Sequence, residues 1–240
     1  MTAPQDPYPV RVYASLDAPL SRWLWLVKWV LVIPHYIVLA FLWAGFAVVT
    51  VIAFFAILFT ERYPRSLFDF NLGVLRWTWR VHYYAYGALG TDRYPPFSLG
   101  EHPDYPAHLD IPYPTRLSRR LVLVKWWLLA LPHYLILSAL AGGGLWLGQR
   151  GNGAWVVGGL LGLLVGIAAI SLLFTGSYPQ SLYRLILGVD RWSLRVTAYA
   201  ALMTDAYPPF RLDQGGTEPG SRPQPSDPSP RPLVPEPAAG

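Results

Sequence analysis

Residues 24–59 constrain this chain more than any other stretch: they form an apolar run of 36 residues whose only formal charge is Lys28. A helix of a water-soluble protein keeps a polar face, so a run that is apolar on every side indicates a bilayer. The composition agrees, with 53% hydrophobic and 14% charged residues, and with eleven tryptophans, a residue that prefers the headgroup level. The sequence therefore predicts an all-α membrane protein.

The second half of the chain repeats the motifs of the first half in the same order. So many ordered matches indicate a tandem duplication of one unit. The matching blocks are LVKW at 26–29 and 123–126, PHY at 34–36 and 132–134, GVLRW at 73–77 against GVDRW at 188–192, and TDRYPPF at 91–97 against TDAYPPF at 204–210. The predicted organisation is an extended leader (1–19), a first repeat unit (20–99), a Pro-rich linker (100–116), a second repeat unit (117–212) and a disordered Pro-rich tail (213–240).

A polar, Gly-rich break at 148–153 divides the apolar region of the second unit into two predicted spans, 121–147 and 154–175. By duplication, the first unit is predicted to be a hairpin as well, with spans 24–43 and 46–60 and a turn near Ala44-Gly45. One long tilted span per unit is the alternative, because a helix of 36 residues measures about 54 Å. The basic residues cluster away from the hairpin tips, which favours four spans with both termini and the linker in the cytoplasm.

Each predicted hairpin is followed by an amphipathic pattern, which in the first unit covers residues 66–89. Leu67, Phe70, Val74 and Trp77 recur at helical spacing on one face, and arginines lie on another. Such a helix is predicted to lie in the membrane interface. The alternative is a helix packed on the protein's own cytoplasmic face. The predicted fold is thus two tandem repeats, each a transmembrane helical hairpin followed by an amphipathic interfacial helix.

Two groups of polar side chains are candidates for ligand or lipid contacts. The Lys of each unit is predicted to snorkel to the interface, and an intramembrane His is a functional hypothesis by default. The favoured reading is structural: each His bonds the carbonyl freed by the preceding Pro, or a helix of its own unit. The paired arginines either hold lipid phosphates or form a solvated face with carboxylate partners. The candidates are Lys28, His35, Tyr36, Arg76 and Arg80 in the first unit and Lys125, His133, Tyr134, Arg191 and Arg195 in the second.

Three further features carry weaker signals. The TDxYPPF blocks are predicted to be stiff turns in which Asp92 and Asp205 bond local backbone. Small residues at 154, 158, 162 and 166 allow close helix packing, within the hairpin or, as the alternative, with a membrane partner or second copy through Gly158, Gly162 and Gly166. No metal and no cofactor is predicted, because the spacing in the linker is loose and Pro-rich linkers carry such residues by chance. The linker residues concerned are His102, Asp104, His108 and Asp110.

The repeated blocks IPHY/LPHY, LFTERYP/LFTGSYP, GVLRWTWRV/GVDRWSLRV and TDRYPPF/TDAYPPF resemble bacterial membrane proteins grouped as domain-of-unknown-function family 4389. The resemblance covers both units and leaves out the leader and the tail. It implies a multi-pass membrane protein, and it brings no catalytic residues with it.

These observations predict a non-enzymatic integral membrane protein of the bacterial inner membrane with cytoplasmic termini. We expect a scaffold or partner subunit that contacts anionic phospholipid through its interfacial helices and binds no nucleic acid. The alternative is a small-molecule or lipid transporter built on the repeat. A membrane enzyme that uses His35 and His133 is a third hypothesis. No Asp or Glu lies inside a predicted span, which speaks against ion coupling.

Overall fold

The computed structural model describes residues 8–17, 19–85, 87–141 and 159–213, and it is mostly helical within these ranges. Two helical stretches, Ile33–Thr60 and Arg119–Leu140, are long and apolar enough to cross a membrane. The elements in chain order are β1 (Arg11–Ala14), α1 (Trp25–Leu31), α2 (Ile33–Thr60), α3 (Arg65–Tyr84), β2 (Ala107–Asp110), α4 (Arg119–Val124), a π-helical turn (Lys125–Leu129), α5 (Leu131–Ala141), α6 (Leu160–Thr175) and α7 (Gln180–Ala200).

α2 is one unbroken helix of 28 residues, so the hairpin predicted near Ala44-Gly45 is wrong. Gly45 does not turn the chain. A Cβ added there would lie 3.2 Å from Phe70 Cζ of α3, so this glycine allows the two helices to pack closely. α2 ends at Glu61, whose φ of 60° is left-handed, and Pro64 then prevents the helix from resuming at once. The first unit therefore contains one long helix, as the alternative prediction has it.

α3 returns antiparallel along α2 and is buried between other elements. Residues 71–75 are five consecutive buried positions, and α7 has seven, residues 186–192. A helix in the interface plane would leave one side to lipid, so the predicted interfacial placement is wrong for both helices. The apolar face of α3 packs on α2, where Trp77 and Val81 join Val32 and Leu39 in one cluster.

The π-helical turn explains how the second unit tolerates one more residue than the first between its motif Lys and its Pro-His-Tyr block. A π turn accommodates a single inserted residue without ending the helix. The predicted polar break at 148–153 lies outside the described residues. α5 and α6 lie on either side of it and contact each other. α6 ends at Gly176, whose φ of 69° matches the left-handed end of α2.

The leader and the linker, predicted as extended and irregular, contribute one strand each. β1 and β2 pair antiparallel, with Val12 directly opposite Leu109. β2 also packs on α3 and β1 on α7. β1, which precedes the first unit, thus covers the buried helix of the second unit, and β2, from the linker, covers that of the first. Residues 8–17 of the leader and the linker are therefore parts of the folded core, whereas residues 214–240 of the predicted tail lie outside the described residues.

Candidate functional site

The motif lysines are buried, and each holds the TDxYPPF block of its own unit. Lys28 Nζ donates to the Thr91 carbonyl oxygen at 2.6 Å and lies 2.9 Å from Asp92 Oδ1. Lys125 Nζ makes the same two contacts, at 3.1 Å to the Thr204 carbonyl and 2.7 Å to Asp205 Oδ1. The prediction that the lysines snorkel is wrong, because both ammonium groups are buried and each pairs with the aspartate of its TDxYPPF block.

The two aspartates also bond backbone, but the partner is distant rather than local. Asp92 Oδ2 accepts from the Ser21 amide at 2.5 Å, and Asp205 Oδ2 accepts from the Ser118 amide at 2.6 Å. Each carboxylate therefore joins the start of its unit to the end. The predicted structural role of the block stands, with long-range contacts in place of the predicted local ones.

Each motif His lies under the aromatic residues of its own unit. Trp77 Nε1 donates to His35 Nδ1 at 3.0 Å, and the His35 ring stacks on Phe97 with centroids 3.9 Å apart. The second unit repeats the arrangement, with Trp192 Nε1 donating to His133 Nδ1 at 3.2 Å. A neutral imidazole that accepts at Nδ1 carries its proton on Nε2. In both histidines Nε2 is buried and has no hydrogen-bond partner among the described residues.

The paired arginines hold backbone carbonyls rather than facing a lipid surface. Arg80 is buried and donates to the carbonyls of Ser98 and Gly100, while Arg76 Nε donates to the Leu109 carbonyl at 2.9 Å and Arg76 Nη2 lies 3.4 Å from Glu101. Burial lowers the pKa of Arg80 to about 10; the nearby Tyr105 opposes this shift and the charge of Arg76 adds to it. Of the two alternatives for these arginines, the lipid-phosphate one does not fit the buried Arg80, and Arg76 has the carboxylate partner that the other alternative predicts.

Arg191 and Arg195 repeat this pattern in α7. Arg191 Nε donates to the Val12 carbonyl at 3.2 Å, and the buried Arg195 donates to the Arg211 and Asp213 carbonyls. Arg76 and Arg191 thus bind the carbonyls of Leu109 and Val12, the two residues that face each other in the sheet. The arginines tie the strands to the buried helices.

One polar pair has no counterpart in the repeat and is not among the predicted contact residues. His82 of α3 and Asp190 of α7 form a contact of 3.0 Å between Nε2 and Oδ1. Burial disfavours the imidazolium, but the Asp190 carboxylate outweighs this effect and raises the pKa of His82. The pair borders a cavity of about 180 Å³ between α3 and α7 that Trp43, Thr78 and Ser193 also line. The available signal was a difference between the repeated blocks, since Asp190 stands where the first unit has Leu75.

A family model described as Domain of unknown function (DUF4389) matches residues 22–98 and 154–211, which together exceed half of the chain. The chain belongs to this family. The two matched segments agree with two copies of the DUF4389 unit, and the second match begins after the 148–153 break. No curated protein and no solved structure matches the chain.

The first matched segment contains both partners of the Lys28–Asp92 and His35–Trp77 contacts, whereas the second contains Asp205 and Trp192 but begins after Lys125 and His133. The other predicted contact residues take no part in these contacts. Tyr36 and Tyr134 are exposed on the outer side of their helices, and Tyr134 bonds the Trp126 carbonyl at 2.8 Å. Gly162 and Gly166 are exposed, and a Cβ at either position would meet nothing within 4 Å, so neither glycine packs closely on a described neighbour. Gly158 lies outside the described residues. No three His, Cys, Asp or Glu side chains converge as metal ligands within the described ranges.

Proposed function

We propose that this chain is a non-enzymatic membrane protein that serves as a scaffold or partner subunit. The observation that carries the proposal is that the motif side chains Lys28, His35 and Arg80, and their counterparts in the second unit, bond groups of the same chain. A catalytic group has to reach a substrate, whereas these groups are buried and hold the unit together. The largest exposed surface that these contacts leave unused is the apolar outer side of α2 and α6.

That outer surface supports a bilayer location. The most exposed large apolar side chains of α2 include Phe41 and Phe59, 76% and 72% exposed, and α6 adds Phe174 at 77%. Exposed apolar area of this extent marks a membrane or protein contact. Arg62, Arg119 and Arg120 are exposed near the end of α2, where they suit anionic phospholipid. We place the protein at the bacterial inner membrane, with both termini and the linker in the cytoplasm; because α2 is unbroken, this topology requires that α2 does not cross the bilayer.

Photo-crosslinking in living cells tests the scaffold role. A photoreactive amino acid at the exposed α6 positions Leu163 and Ile170 should yield a discrete adduct with one polypeptide, either a partner or a second copy. The same group at the linker position Glu101 is the matched control and should not give that adduct. Adducts with lipid alone at both α6 positions would argue against a scaffold and leave membrane attachment intact.

A small-molecule or lipid carrier is the second candidate, and one cavity favours it. A space of about 290 Å³ lies between the two halves, lined by Thr50, Phe54 and Phe55 of α2 with Trp126 and Leu202. Its walls are almost wholly apolar, as an acyl chain requires. Native mass spectrometry of the purified protein should then show a retained lipid, and Thr50→Trp should displace it. A lipid-free protein would contradict the carrier role.

A further inference from the structure

α2 has two contrasting faces along its whole length. His35, Leu39, Phe46, Ala53 and Ile57 are buried against the protein. A second row, offset from the first by roughly half a turn, is exposed and apolar: Ile37, Phe41, Val48, Val51, Phe55 and Phe59. Only one side of α2 is therefore available to lipid.

The side of α3 that faces the linker carries a polar layer, residues 98–116, that runs the length of α2. At one end Arg80 binds the Gly100 carbonyl, beside the start of α2 where His35 meets Trp77. At the other end the Leu117 amide donates to the Glu61 carbonyl at 2.9 Å, at the close of α2. Between them the layer is mostly irregular, and the side chains of Glu101 and Asp110 are about half exposed, at 56% and 49%.

This layer is incompatible with α2 standing along the bilayer normal in a single chain. Arg65 begins α3 and Arg80 lies about one turn before its end, and the 15 residue steps between them span about 22 Å, most of the ~30 Å of hydrocarbon. If α2 crossed the bilayer, the irregular backbone and carboxylates of 98–116 would lie at hydrocarbon depth. Irregular backbone exposed to lipid does not occur there, because its polar groups find no partner.

We propose that α2 lies in the plane of the bilayer, with its outer row in the acyl chains of one leaflet and the 98–116 layer in water. The partner is an anionic bilayer surface, because exposed Arg62 and Arg120 flank the end of α2. The inference rests on the membrane location proposed above and names the orientation in which the chain binds. The in-plane orientation accounts for both the apolar outer row and the polar 98–116 layer. A crossing helix could do so only if a second molecule covered that layer.

Depth measurements on spin labels test this orientation. The chain contains no cysteine, so Phe41→Cys, Val48→Cys and Phe59→Cys each place one label at nearly the same angular position of α2. The full-length protein is reconstituted in vesicles of phosphatidylethanolamine and phosphatidylglycerol. Collisions with oxygen and with a water-soluble nickel chelate then report the depth of each label.

An in-plane helix places the three labels at one depth, equal within about 5 Å, one helical pitch. A crossing helix separates the labels at 41 and 59 by about 27 Å along the normal and overturns the inference. A label at Glu101→Cys should be open to the chelate. If all labels are open to the chelate and the protein does not float with the vesicles, the proposed membrane location is wrong. A depth gradient along α2, in contrast, contradicts only the in-plane orientation. Infrared dichroism of the unsubstituted protein in oriented bilayers gives the helix tilt independently of any substitution.

Discussion

His82 of α3 contacts Asp190 of α7 at 3.0 Å, and this pair joins the two halves of the chain at positions where the halves differ in sequence. Asp190 is almost fully buried, whereas the His82 side chain is partly exposed. The carboxylate occupies the place of Leu75, so an apolar contact in one copy has become a polar one in the other. The pair is therefore a feature of this chain rather than of the repeated motif.

We expect the His82–Asp190 pair to make stability depend on pH. Asp190 raises the pKa of His82 above its ordinary value of about 6.5, so the stabilisation is fully present below that pH and is lost as pH rises through the raised pKa. The melting temperature in detergent should therefore fall as the pH rises above about 6.5. His82→Gln should flatten this fall, and His108→Gln, on β2, is the control that should keep it. An equal fall in the His82 variant would mean that another group titrates.

The buried Lys28–Asp92 pair should be costly to break from either side. Lys28→Met leaves the Asp92 carboxylate without its cation, and Asp92→Asn leaves a buried ammonium; we expect each to cost about 3–5 kcal/mol of unfolding free energy. The double variant should cost clearly less than the sum of the two single variants. Chemical unfolding in detergent measures the cycle. Additive costs would show that the two groups are not coupled.

His35→Gln and His35→Leu should separate a structural from a chemical role for the motif His. The Gln side chain can accept from Trp77 Nε1, so folding and abundance should largely survive, whereas Leu leaves the buried indole N–H unpaired and should cost ~1–3 kcal/mol. Trp77→Phe removes the donor instead and serves as the matched control. Thermal stability is read beside rescue of a deletion strain. A Gln variant that is as stable as the unsubstituted protein yet fails to rescue would point to an active site.

Gly73 and Gly162 should respond in opposite ways to the same substitution. A Cβ at Gly73 would lie 2.8 Å from Leu99 Cβ and 3.0 Å from the Leu99 carbonyl oxygen, so Gly73→Ala must displace the linker and should destabilise the protein. A Cβ at Gly162 meets nothing within 4 Å, so Gly162→Ala should be neutral or gain roughly 0.5–1 kcal/mol of helix stability. Thermal unfolding compares them. Strong destabilisation by Gly162→Ala would indicate that a second molecule packs there, as the predicted homo-oligomer requires.

Much of the local structure could be read from the sequence. The apolar run predicts helix across residues 24–59, although the favoured hairpin is wrong and only the alternative of one long helix matches α2. The 3.6-residue periodicity after the run predicts α3. The family resemblance is confirmed, and it rests on blocks that recur in the same order. These features depend on neighbouring residues, so they are visible without a fold.

Only the tertiary structure decided what each helix face packs against. Lipid and protein interiors are both apolar, so periodicity could not tell that the apolar side of α3 packs on α2 instead of a bilayer. Likewise, an arginine on a helix face suits a phosphate or a backbone carbonyl equally well, and Arg80 met the carbonyls of Ser98 and Gly100 only because the linker folds over α3. Gly45 was predicted to lie in a turn, but in the structure it lies inside α2 and packs against Phe70 of α3. Sequence pattern determined which elements form and that they recur; long-range packing decided what they touch, because a contact between distant residues leaves no trace in local spacing.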